Sequence, residues 1–159
     1  MVCALGALVG AAEKAEALAD SLARHLDDVA AATRGNTRPR VYFEEWDDPL
    51  ITGIGWISEL IEIAGSEDVF PQLRKEKSAK DRVVVPEAVV AAAPEIILAS
   101  WCGKKVSAEK IRARPGFDRI PAVANNRIVE IKSPLILQPG PAALTDGLDA
   151  IVAALHGSA

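Results

Sequence analysis

Cysteine and histidine are scarce in this chain, with two of each, and their absence as clusters excludes most site chemistry. Cys3 and Cys102 lie far apart, so neither a disulfide framework nor a Cys-x-x-Cys metal site is present. A single bridge between them has no positive support. His25 and His156 belong to no group of His, Cys and carboxylates with ligand spacing, so no metal site is expected. Basic runs are equally short. Arg74-Lys75-Glu76-Lys77 is broken by an acid and the net charge is −4, which argues against a nucleic-acid footprint. No apolar run approaches the roughly 18 residues of a membrane span. Met1-Val2-Cys3 lacks the charged start and apolar core of a signal peptide, and Cys3 stands too near the start for a lipoprotein cysteine. At face value the chain is cytoplasmic, or its N-terminus is not the natural one. No internal repeat or low-complexity tract interrupts it.

What remains is an ordinary globular composition: 159 residues, 50% hydrophobic and 25% charged, enough for one domain with a real core. Leu18, Leu22, Leu26 and Val29 recur at helical spacing and predict a helix over 11–33, after a break at Gly10. Residues 2–9 read as the tail of an element, and Gly6-x-x-x-Gly10 resembles a small-residue helix contact. A buried strand is expected at 40–43 and a helix at about 52–65, closed by Gly65. Residues 66–82 read as a loop that packs Val69, Phe70 and Leu73 inward. Pro86 opens a short helix, and 95–100 is a second buried strand. A short helix from Ser107, a brief strand at 119–123, a better one at 127–131 and a last helix at 141–155 follow. Alternating strands and helices predict an α/β layered domain with a mostly parallel sheet.

The strand ends carry unusual residues. The first stops at Glu44-Glu45-Trp46-Asp47-Asp48-Pro49, the second at Trp101-Cys102-Gly103-Lys104-Lys105, and the last at Lys132-Ser133-Pro134 through Gln138-Pro139-Gly140-Pro141. Ligands of open α/β sheets bind outside the carboxyl ends of strands, so these loops are the candidate binding surface. Trp46 and Trp101 offer flat apolar faces suited to stacking, with core packing as the competing role, and core packing is the default for Trp56. Glu44 and Glu45 are adjacent on a strand and point to opposite faces, so at most one meets a ligand. Lys104 and Lys105 suit an anionic group, or a solvated loop. Cys102 as a nucleophile needs a base, and neither histidine belongs to this face.

The run Glu44–Leu50, then Glu59-Leu60-Ile61 and Ala64-Gly65-Ser66-Glu67-Asp68-Val69-Phe70, resembles the second lobe of a helical-backbone substrate-binding protein. These serve ABC importers for vitamin B12, haem and iron-siderophores. Val85-Pro86-Glu87-Ala88-Val89-Val90 through Ala93-Pro94-Glu95-Ile96-Ile97-Leu98, and the junction Gly6–Ala15, fit the same pattern, which looks closest to cobalamin-binding proteins. The resemblance implies a Rossmann-like three-layer C-terminal lobe at 36–159. An interlobe-type backbone helix and its junction would occupy 1–35, with the N-terminal lobe absent. It implies a periplasmic or extracellular location, no enzymatic activity, no cofactor, and a corrinoid such as cobalamin or a similar chelate as ligand. Glu45, Trp46, Trp101, Cys102, Lys104 and Lys105 would face that ligand. Glu87 would dock on the transporter's membrane subunits. Vitamin B12 binders carry an aromatic where Glu45 stands here, with Trp46 beside it, and no histidine is placed for axial ligation of a metal centre. Two other readings stay open: an enzyme using the Glu45–Cys102–Lys104 face, and a homodimerising module that covers Val2, Leu5 and Leu8.

Overall fold

Side chains that alternate between two apolar clusters along the first strand explain the layering. In β1 (Arg40–Asp47), Val41 and Phe43 enter one apolar cluster and Tyr42 enters another. The computed structural model, which describes residues 1–157, therefore has a sheet covered on both faces. A strand buried on both sides reads as a continuous apolar run, and β4 (Ile96–Ala99) is such a run. Ile96 and Leu98 point to the first cluster, Ile97 and Ala99 to the second. Full burial of one such side chain contributes about 1.5–3 kcal/mol.

Two helices precede β1: α1 (Val2–Leu8) and α2 (Ala12–Ala32). They are separate because Gly10 takes φ +70, a left-handed conformation that ends the first and turns the chain. The segment 1–35 is thus a helix pair. Gly6 lets the two approach: a Cβ there would stand 2.2 Å from the Ala15 Cβ. At the other end of α2, Thr33 Oγ1 donates to Val29 O and lies 3.1 Å from Ile63 O, tying it to the end of α3 (Gly55–Ile63).

Between β1 and α3 lies an antiparallel strand absent from the sequence reading, β2 (Leu50–Thr52). It folds back on β1 with a bulge between Glu44 and Trp46, so α3 begins later than the apolar pattern alone suggests. A two-residue β3 (Glu67–Asp68) pairs parallel with the start of β1. The chain then passes through two 3-10 turns, with Phe70 buried, into α4 (Pro86–Ala92). After β4 come α5 (Ala108–Arg112), α6 (Pro121–Ala124), β5 (Ile128–Glu130), α7 (Ser133–Ile136) and α8 (Leu148–His156). Residues 119–123 are helical turns, not the expected strand. Pro121 cannot donate to a ladder and suits the first turn of α6, and Ala122 N donates to Pro94 O.

The path β2-β1-β4-β5 is parallel at β1–β4 and β4–β5. One face is covered by α3 and α8, with Leu26 and Val29 of α2. The other is covered by α4, α5, Phe117 and Ile120. The molecule is an α/β lobe with a mostly parallel sheet, as the alternation of elements predicts.

Candidate functional site

Because β1, β4 and β5 run parallel, their three following loops emerge at one end of the sheet. A depression of about 330 Å³ opens there between residues 101–105 and 130–134. The β1–β2 turn closes its flank, since Lys104 Nζ ion-pairs with Asp47 Oδ1.

The two glutamates of β1 part company, as adjacent strand residues must. Glu44, 0% exposed, turns toward the Tyr42 side. It accepts Trp101 Nε1 at 3.0 Å and Arg114 Nη2 at 2.9 Å, with a second contact to Arg114 Nη1. A fully buried carboxylate persists only when paired and hydrogen-bonded, and Arg114 does this with both amino groups. Tyr42 lies in the same region. Burial, and after it the Glu44 charge, push its hydroxyl well above the ordinary range. Glu45 turns the other way. Arg82, itself 2% exposed, grips it at 2.7 Å and 3.1 Å, and Ile54 N donates to the same carboxylate at 3.0 Å. Arg82 also donates to Thr52 O. Glu45 therefore ties the bulged end of β1 to the start of α3, with three of its roughly four acceptor sites engaged within the fold.

Trp101 is 2% exposed, its ring packed in the second core cluster. Its expected role as an exposed stacking face gives way to that of a wall, fixed by the Glu44 bond. Trp46 differs: it is half-buried, with Nε1 donating to Asp48 O at 2.9 Å. Lys104 Nζ lies 4.2 Å from the Trp46 ring centroid and 5.1 Å from that of Trp101, within cation–π range. Desolvation alone would raise the Asp47 carboxyl. The hydrogen bond and charge of Lys104 outweigh it and hold the group below its ordinary value. Lys105 and Cys102 are exposed, and Lys105 makes no ion pair among the described residues. Cys102 has no histidine at hand: His25 meets Asp149 and His156 meets Ala64 O. Among the described residues no cluster could hold a metal ion. Glu87 is exposed in the first turn of α4 and takes part in none of these contacts.

Several participants escape a sequence reading. Arg82 and Arg114 stand 37 and 70 residues from the glutamates they hold, and no local pattern announces such pairs. Glu130 and Lys132, paired at 2.9 Å, form the far wall, and Val106 N approaches the same carboxylate. Val83, 40% exposed, bridges Ile51 beside the hairpin. Trp56, expected in the core, is half-buried in the first turn of α3 and donates Nε1 to Ile136 O. It lines an apolar groove of about 490 Å³ between α1, α2 and residues 139–144.

Comparison with known proteins matches this architecture. No curated protein matches the sequence. Among solved structures, an ABC transporter substrate-binding protein from Listeria monocytogenes EGD-e aligns with TM-score 0.82 at 21% identity. A possible iron-binding (periplasmic solute-binding) protein from Staphylococcus epidermidis aligns with TM-score 0.80 at 23% identity. The periplasmic vitamin B12 binding protein of Vibrio cholerae aligns with TM-score 0.65 at 19% identity. The alignments cover 99%, 96% and 92% of this chain but 62%, 59% and 54% of those chains, so it spans little more than half of each relative. At such identities the likeness establishes the fold. The model of the family described as periplasmic binding protein matches residues 1–135 of the 159, and the chain belongs to that family.

Proposed function

We propose that this chain is the ligand-binding C-terminal lobe of a substrate-binding component of an ABC importer, and that its ligand is a planar metal chelate. The observation that carries the reading is the convergence of three loops at the strand carboxyl ends, around a half-buried tryptophan and a lysine-lined depression. Relatives labelled for iron and for vitamin B12 support a chelate, and a corrinoid such as cobalamin is the member of that class we favour. Trp46 supplies the stacking face, with Lys104, Lys105 and the exposed Cys102 around it. Stacked aromatic contacts of this kind are worth about 0.5–1.5 kcal/mol beyond the area they bury. Glu87, exposed and without an ion pair among the described residues, is the docking contact for basic groups of the membrane subunits. The lobe works outside the cytoplasm and catalyses nothing.

Calorimetric titration with cobalamin, cobinamide and haemin tests this. Saturable heat with at least one chelate, weakened by Trp46→Ala, is expected. No heat with any of them at millimolar protein would refute chelate binding by this lobe.

A second reading is favoured by one observation. Leu5, Leu8 and Val9 are 56%, 82% and 77% exposed on and just after α1. Such a patch seeks cover, and a second copy of the chain would supply it. Sedimentation equilibrium that finds a monomer at every concentration would remove this reading.

A further inference from the structure

Lys104 occupies the place a ligand would take. Its ammonium lies over the Trp46 ring at 4.2 Å and near the Trp101 ring at 5.1 Å, and Asp47 holds it from the end of β1. A cation over an aromatic face is attracted by the ring quadrupole, so the arrangement is a small cage already filled. The Asp47 side chain is 11% exposed and part of the wall, while that of Lys104 is 40% exposed and reaches in from solvent. The loop that carries Lys104 is lightly held. Gly103 takes φ +75 with open space where a Cβ would stand, and Cys102 and Lys105 on either side are exposed. The same lysine also lines the depression toward Ser133, so a short swing carries its charge from Asp47 to whatever lies there. Lys132, across the depression, is already engaged by Glu130 at 2.9 Å.

We propose that Lys104 is a specificity-determining residue. It caps Trp46 in the free protein, and it selects, among planar chelates, those that carry an acid group to receive the displaced ammonium. The proposal rests on the reading of this surface as a chelate site. A chelate without an acid must break the Lys104–Asp47 pair and the cation–π contact and gives the lysine no new partner. A chelate with a carboxylate replaces both with a charge-assisted hydrogen bond in the depression, beside the unpaired Lys105. The cap thus works against neutral ligands more than acidic ones.

Cobyric acid and cobinamide are a matched pair of corrinoids, the first with a free carboxylate where the second has an amide. Lys104→Met keeps most of the length of the side chain and removes its charge. In the wild-type chain cobyric acid should bind more tightly than cobinamide. Lys104→Met should weaken cobyric acid about tenfold and strengthen cobinamide about tenfold, the size of one exposed ion pair with a cation–π contact. Affinities that move together, or do not move, overturn the selection. If neither corrinoid binds either protein, the corrinoid reading and the selection built on it fail together, and the cap is still decided without a ligand. Acrylamide quenching of Trp46 fluorescence, in a Trp56→Phe background, should rise in Lys104→Met, and unchanged quenching overturns the cap.

Discussion

Arg114→Met is the sharpest perturbation of this site, because it leaves the most completely buried charge without its partner. Glu44 is 0% exposed and keeps the neutral donor Trp101 Nε1, but no cation, once the guanidinium is gone. Removing one member of a buried ion pair typically costs about 3–5 kcal/mol, most of it the uncompensated charge. Arg114 is itself 14% exposed, so water partly reaches the vacated side and the lower end, about 3 kcal/mol, is the better figure. For a domain of this size that is a fall in Tm of roughly 6–12 °C. The double substitution Glu44→Gln with Arg114→Met removes both charges and should recover more than half of the loss, since the pair stabilises mainly by mutual compensation. Urea denaturation followed by circular dichroism gives both numbers. A cost below about 1 kcal/mol, or a double variant as unstable as the summed singles, would refute the account of Glu44 as a compensated buried charge.

Three further outcomes follow from the same geometry. Glu45→Ala should cost about 3 kcal/mol, because Arg82 loses its carboxylate while 2% exposed, and hydrogen exchange at Ile54 N should speed up; a melting curve unchanged from wild type would contradict this. The Asp47 carboxyl is held below its ordinary value in the folded chain, so the Lys104 contact adds stability above the unfolded carboxylate pKa. It is lost as pH falls through the folded one. With Lys104 40% exposed, that contribution is at most about 1 kcal/mol, and Asp47→Asn should flatten the acid limb of the stability profile by no more than this. Gly6→Ala should force α1 off α2, since the new Cβ meets the Ala15 Cβ at 2.2 Å and neither can swing aside. About 1–3 kcal/mol of overpacking, read as faster exchange confined to α1, is expected, and uniform exchange throughout would show that the helices do not depend on this contact.

Local signals carried much of the architecture and little of the site's wiring. Helical spacing of Leu22, Leu26 and Val29 announced α2, and the apolar run at Ile96–Ala99 announced a strand covered on both sides. Period-two geometry required Glu44 and Glu45 to diverge, and they do. By contrast, β2 was hidden because three residues are too few to show a period, and its pairing with β1 is what delays α3. Residues 119–123 carried a strand-like apolar pattern, but Pro121 and the bond from Ala122 N to Pro94 O settled them as turns.

By itself the sequence determined the alternation of strands and helices, hence a parallel sheet, hence three chemically unusual loops at one end of it. That chain of reasoning needs only periodicity and the handedness of short connections. Tertiary structure alone decided what each side chain in those loops is free to do. It buried Trp101, committed Glu44 to Arg114 and Glu45 to Arg82, left Trp46 half open, and set Lys104 over its ring. The physical reason is that a charge or a ring takes its role from the partners that desolvate or compensate it. Here those partners stand 37 to 70 residues away along the chain, where no local pattern reaches.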